Sequence, residues 1–270
     1  ENGLAKAEKK AGRIAAEGIV KTFISADGKN ASMVEVNSET DFVAKNDKFQ
    51  DFVGDVVEQI NGSAAEDVEA FLAEAWAKDS SKTVKEELAS MVATIGENMN
   101  IRRFAKLSAD NGVVVDYIHA GGKIGVLIAA ETDNTGDEVV ECLKNVAMQI
   151  AAMNPEYLSA DDVSEEYKEK EKKILLEQAK NDPKNAGKPE NIIEKMIIGR
   201  LNKELKEVCL TEQVYVKAEN KETVAKYVES VAKAVGCNLK LTGFVRYETG
   251  EGLEKKEEDF AAEVAAQMNA

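Results

Sequence analysis

The chain has 270 residues, more than one typical small domain, so two domains or one duplicated domain is the expectation. Its 50 Asp and Glu against 35 Lys and Arg leave a formal net charge of -15, which repels a phosphate backbone and argues against direct nucleic-acid binding in favour of a protein partner. Three cysteines without CxxC spacing (Cys142, Cys209, Cys237) indicate neither a disulfide framework nor a zinc site, and no apolar run approaches the about 18 residues of a membrane span; a cytoplasmic chain without a membrane partner is expected.

The first stretch, Leu4 to Arg13, is basic and helix-like, and because the chain opens at Glu1 without a methionine, something upstream is expected to have been removed. Gly18 to Ile24 reads as a strand, 25–29 as a turn, and Met33, Val34 and Val36 as a second strand. Glu39-Thr40-Asp41 then leads into a helix with Phe49, Phe52, Val53, Val56, Val57 and Ile60 on one face. Two more helices are predicted over Ala64–Lys78, with Trp76 on the apolar face, and over Val84–Ile95, ended by Gly96. Ile101, Phe104 and Leu107 continue as a third strand for the first sheet.

From Gly112 the pattern returns: a strand to Ile118, a turn over His119–Lys123, a strand over Ile124–Ala130, then Glu131-Thr132-Asp133 and a helix carrying Val139, Cys142, Leu143, Val146, Ala147 and Ile150. The two helices superpose position by position, which makes a two-fold internal repeat. After Pro155 the composition turns to dense Glu and Lys, and two helices broken at 181–189 each carry one narrow apolar seam: Tyr167 and Ile174 on the first, Ile193, Ile197, Leu201, Leu205 and Val208 on the second. This is an antiparallel helical hairpin inserted in the second unit, with a seam able either to close on itself or to dock a partner. Gln213–Val216 reads as extended, Thr223–Val235 as helix and Leu239–Tyr247 as strand, completing the second sheet. A last helix runs from Lys255 with Phe260, Val264 and Met268 at four-residue steps. The fold class is α+β: two similar small antiparallel sheets packed with helices, an inserted coiled-coil hairpin and a C-terminal helix. The expected units are a helix end over 1–17, core subdomains over 18–107 and over 108–163 with 211–249, the hairpin over 164–210 and a C-terminal module over 250–270.

The repeat isolates one surplus. Between Asp41 and Phe49 lie seven residues, FVAKNDK, but between Asp133 and Val139 only five, NTGDE, so Phe42 has no apolar counterpart. Two readings stand side by side: Phe42 as a hydrophobic staple behind a Thr40 or Asp41 N-cap, or Asp41-Phe42 as an acid and an aromatic offered outward to a partner. The search for catalytic groups is thin, with His119 the sole histidine and no HExxH, GxSxG or Walker sequence, so covalent catalysis, a metal and a cofactor are not expected.

Thr40-Asp-Phe-Val-Ala-Lys45, the segment Ile95–Arg103, the segment His119–Leu127 and Asp259-Phe-Ala-Ala-Glu-Val264 resemble the landmarks of the translation elongation factor Ts family, guanine-nucleotide exchange factors for the GTPase elongation factor Tu. The resemblance covers nearly the whole chain. It implies the two-subdomain core, the hairpin and a C-terminal module, and a small N-terminal helical domain that this sequence would lack. It further implies that Thr40, Asp41, Phe42 and Val43 bear on the GTPase beside its nucleotide and magnesium site, that Ile95 and Gly96 border that contact, that His119 faces another GTPase domain, and that Phe260 and Val264 dock the C-terminal module. The rival reading is an interaction scaffold acting through the hairpin, homodimerisation included.

Overall fold

The computed structural model describes residues 2–255, and in it the repeat is a pair of three-stranded antiparallel sheets of the same order. The first comprises β1 (Glu17–Ile24), β2 (Asn30–Ser38) and, after the two-residue and five-residue strands β3 (Ala75–Trp76) and β4 (Asp79–Thr83), β5 (Met99–Ser108). The second comprises β6 (Gly112–His119), β7 (Ile124–Thr132) and β8 (Leu239–Glu248). In each, the second strand is central and is bulged against the third, at Glu35/Val36 and at Ala129/Ala130. A glycine lies at the start of each first strand, second in β1 and first in β6, for one reason: a Cβ at Gly18 would collide with the Val36 carbonyl, and one at Gly112 with the Ala130 carbonyl.

Strand alternation sorts the apolar side chains into three layers. Val34 and Val36 face outward onto Phe49, Phe52, Val53, Val56 and Ile60 of helix α3 (Asp47–Gly62), which follows the four-residue helix α2 (Asp41–Ala44) and the N-terminal helix α1 (Asn2–Glu8). Val126, Ile128 and Ala130 likewise face α6 (Asp137–Met153), which comes after α4 (Val68–Ala73) and α5 (Val84–Ile95) in the chain. The intervening residues of both sheets, Val20, Met33, Val114, Leu127 and Ala129, meet in a third cluster, so the sheets pack on one another with helices on both outsides. All twelve helix positions superposed from sequence are buried.

The inserted pair is α7 (Glu165–Asn181) and α8 (Glu190–Val208), closed by Leu175, Ala179, Ile197, Leu201 and Leu205. The seam on α7 differs from the predicted one: Ile174 is exposed and its neighbour Leu175 is buried, while Tyr167 stays half-buried in the seam with its ring centroid 6.1 Å from that of Tyr157 at the root. After α8, Val214 makes only an isolated bridge to Thr223, so the 213–216 segment does not join the sheet; α9 (Val224–Val235) and β8 complete the unit. The helix predicted over 64–78 is corrected too. Only α4 forms, and a two-stranded ribbon of β3 and β4 follows, in which Gln59 ties down the backbone of Ala75 and Ala77 and Trp76 packs on Phe52 with ring centroids 5.8 Å apart. Thr83 then starts α5 with a reciprocal capping box to Glu86. The helix expected toward the C-terminus, with Phe260 and Val264, lies outside the described residues, and no described helix is long and apolar enough to cross a membrane.

Candidate functional site

Where β2 gives way to α3, the extra residues of the first unit fold into α2. Thr40 is its N-cap, extended at φ -125° and ψ 155°, and its hydroxyl oxygen accepts from the Val43 amide at 3.3 Å. One helical turn has room for two inward side chains here: Ala44 is buried and Val43 is half-buried against the core that contains Phe49. Asp41 and Phe42 therefore point out, and Phe42 is 80% exposed. The staple reading of Phe42 is overturned, since Val43 does the packing. Lys45 donates to Asp41 at 3.0 Å and holds that exposed carboxyl below the usual range. Asn46 caps α3 through the Phe49 amide, and Gln50 closes back on the Ala44 carbonyl at 2.6 Å.

The joint is held from a second element. α5 ends at Gly96, left-handed at φ 91°, and this turns Glu97 and Asn98 toward the joint. One Glu97 oxygen accepts from the amides of Glu39 and Thr40, both at 3.1 Å; the other accepts from the Thr40 hydroxyl at 2.7 Å. Glu39 answers by accepting from the Asn98 amide at 2.6 Å. Lys10 donates to the Gly96 carbonyl at 2.6 Å, the Asn98 side chain to the Arg13 carbonyl at 2.8 Å, and Arg13 lies 3.5 Å from Glu39, so the segment after α1 braces the same corner. Thr40 to Val43 and Ile95-Gly96 are thus brought together, while Glu97, Glu39 and Asn98 were missed as the residues that join them. Their signal was present in the matched helix, glycine, residue, asparagine, strand order at Gly96-Glu97-Asn98 and Gly236-Cys237-Asn238.

His119 is exposed at the end of β6, its Nδ1 2.9 Å from the Tyr117 hydroxyl. Its turn docks on the first residues of β1: the Gly122 carbonyl accepts from the Val20 amide at 2.8 Å and from the Thr249 hydroxyl at 2.9 Å. Gly122 is left-handed at φ 107°, and a Cβ there would press on Ile19 at 3.0 Å. Since Glu17 of β1 lies opposite Ser38 at the root of the joint, His119 and Phe42 belong to the same end of the first sheet without touching. No group of three or more His, Cys, Asp or Glu able to hold a metal occurs among the described residues.

The family profile described as Elongation factor TS matches residues 39–251, from the joint to the loop after β8. Elongation factor Ts of Clostridium botulinum (strain ATCC 19397 / Type A) is 49% identical over 269 residues, spanning 100% of this chain and 86% of that protein. Elongation factor Ts of Clostridium kluyveri (strain NBRC 12016) is 50% identical over 268 residues, spanning 99% and 86%. The chain belongs to the elongation factor Ts family. As a member of it, this is a translation elongation factor of α+β fold, and the exposed Asp41-Phe42 pair is a feature that the elongation factor Ts fold here builds on one of its two repeats only.

Proposed function

We propose that this chain is a guanine-nucleotide exchange factor that binds the GTPase elongation factor Tu in the cytoplasm and releases its GDP. The single observation that carries the reading is Phe42, a large aromatic left 80% exposed on a capped and braced turn, where the sister repeat closes its joint without one. Such an anchor, held in place before the encounter, is the kind of residue that dominates an interface. Thr40, Asp41 and Val43 form its mount, Ile95 and Gly96 border the contact, His119 faces a second part of the GTPase, and Phe260 and Val264 provide an outer grip.

Exchange of this kind requires no reactive side chain and no enzyme chemistry. A factor that binds the nucleotide-free GTPase more tightly than the GDP-bound one lowers nucleotide affinity by the same factor that nucleotide lowers its own. The test is Phe42→Ala, with release of a fluorescent GDP analogue followed by stopped flow beside a thermal melt. The expected outcome is a melting temperature within about 2 °C of the parent, since exposed substitutions cost only a few tenths of a kcal/mol, and a maximal release rate about thirtyfold lower, the size of a lost interface anchor. A melting temperature lower by more than about 8 °C, or an unchanged release rate, overturns the reading.

A further inference from the structure

We infer that Glu97 is a positioning residue for exchange: its carboxylate holds the Thr40 turn in the conformation that presents Phe42. This rests on the exchange reading above. The two repeats are built alike around this position and differ at one residue. Helices α5 and α9 each have 12 residues, each begins after a threonine N-cap (Thr83, Thr223), and each ends in a left-handed glycine (Gly96, Gly236). Each is followed by one residue, an asparagine and the third strand of its sheet. The asparagine amide does the same job in both, donating to Glu39 in the first repeat at 2.6 Å and to Asp133 in the second at 2.8 Å. The residue between differs: Glu97 in the first, Cys237 in the second.

Cys237 has no group that can take three donors at once, and the second repeat manages without them. There, by strand register, Asp133 and Asn134 stand where the first repeat has Glu39 and Thr40, and the Asn134 amide donates to the Thr132 hydroxyl oxygen at 3.1 Å, a local bond that takes the place of one to a carboxylate. The shared fold therefore closes this joint without a carboxylate. Glu97 appears on the repeat that also carries the surplus aromatic, and its three bonds go to the two residues immediately before Asp41-Phe42. A four-residue helix has too few internal bonds to persist by itself, so the placement of Phe42 depends on what fixes the cap. With Glu97 in place the aromatic meets its partner already oriented. Without it, the turn must be ordered during the encounter.

The carboxylate's role is geometric, which separates two substitutions. In Glu97→Gln the amide oxygen can still accept from the Glu39 and Thr40 amides while the amide nitrogen donates to the Thr40 hydroxyl oxygen, so the clamp survives without its charge. In Glu97→Ala it is gone. The experiment measures GDP release from the GTPase against factor concentration for the parent, Phe42→Ala, Glu97→Ala and Glu97→Gln, together with amide hydrogen exchange at Glu39 and Thr40 in the free factors. The expected result for Glu97→Ala is a maximal rate lower by about ten- to a hundredfold, the cost of a misplaced working group, with loss of amide protection at Glu39 and Thr40 and a half-saturating concentration within about threefold of the parent. Glu97→Gln should keep the protection and stay within about threefold of the parent rate. A parent that releases GDP beside an equally fast Glu97→Ala overturns the role of Glu97 alone. A Glu97→Gln as slow as Glu97→Ala with its amides still protected also overturns it, because the charge would then be acting on the partner directly. A parent that accelerates nothing overturns the exchange reading and this role with it.

Discussion

Glu35 is the residue with the most unusual surroundings. It is 0% exposed, on the inner face of β2, at the bulge position where the second repeat has Ala129. The bulge explains how a charge is tolerated there. Glu35 pairs with Arg103 but Val36 with Ile101, so Arg102 is the extra residue and two successive arginines reach one carboxylate. Arg103 Nε donates at 2.6 Å, Arg102 at 3.1 Å, Asn37 at 3.0 Å and the Gly250 amide at 2.9 Å. Burial opposes ionisation, yet the Gly250, Asn37 and Arg103 donors outweigh it and hold the carboxyl below its ordinary value. A depressed folded-state pKa means that the network stabilises fully above the unfolded value of 4.5 and is lost as pH falls through the lower folded one. Glu35→Gln, which sets an amide donor against Arg103, should cost about 2–3 kcal/mol at pH 7. That gap should begin to shrink in urea melts once the pH falls below 4.5, where the carboxyl of the unfolded chain takes up its proton, and it should keep shrinking as the pH falls through the depressed folded-state value; a gap that does not change on acidification would contradict the assignment.

At the scale of elements, the hairpin can be separated from the core by its contacts. Leu175, Ala179, Ile197 and Leu201 pack within α7 and α8, whereas the root belongs to the core side: the Val208 carbonyl accepts from the amides of Glu156 and Tyr157, and Cys209 is buried. Replacing residues 165–207 by a short glycine-serine linker while keeping Val163, Val208 and Cys209 should leave both sheets cooperative in a thermal melt and the maximal GDP release rate within about threefold of the parent. If the shortened chain melts broadly, the root has been cut through. Abolished release with a normal melt, or loss of a dimer that the parent forms in sedimentation, would move the working surface to the hairpin, where Ile174, Ile192 and Ile198 stand exposed.

For the whole molecule, the two repeats are joined by a thin apolar layer and a polar lock. Tyr247 of β8 lies under the Arg103 guanidinium at 4.1 Å, Arg103 also donates to the Glu248 carbonyl at 3.1 Å, and Thr22 bonds Asp116 across the sheets at 2.6 Å. Gly125 marks how close the sheets come, since a Cβ there would run into Val20 and lie 2.9 Å from the Met33 sulfur. Gly125→Ala should therefore cost about 2 kcal/mol by overpacking, a fall of about 4–8 °C in melting temperature, while GDP release at low temperature stays near the parent rate. A melting temperature unchanged within about 1 °C would mean that the layer yields more than a packed core does.

Periodicity and repetition were enough to read the two sheets, the buried faces of α3 and α6 and the helical hairpin, because those patterns are local and repeat every 2 or 3.6 residues. The surplus Phe42 was visible in the same way, as a residue with no counterpart in the sister repeat. Its outward direction was not, because an aromatic beside a cap satisfies the same local pattern whether it packs or projects; the inward turn of Val43 and Ala44 against α3 decides between them. The β3–β4 ribbon was hidden because Trp76 fits a helical face equally well, and its burial on Phe52 comes from a contact between elements. Glu97 bonding Glu39 and Thr40, and Glu35 bonding Gly250, join residues 57, 58 and 215 positions apart. A carboxylate's partners are set by where the chain returns in space, so those links were decided by the packing of α5 on the first sheet and of the first sheet on the second.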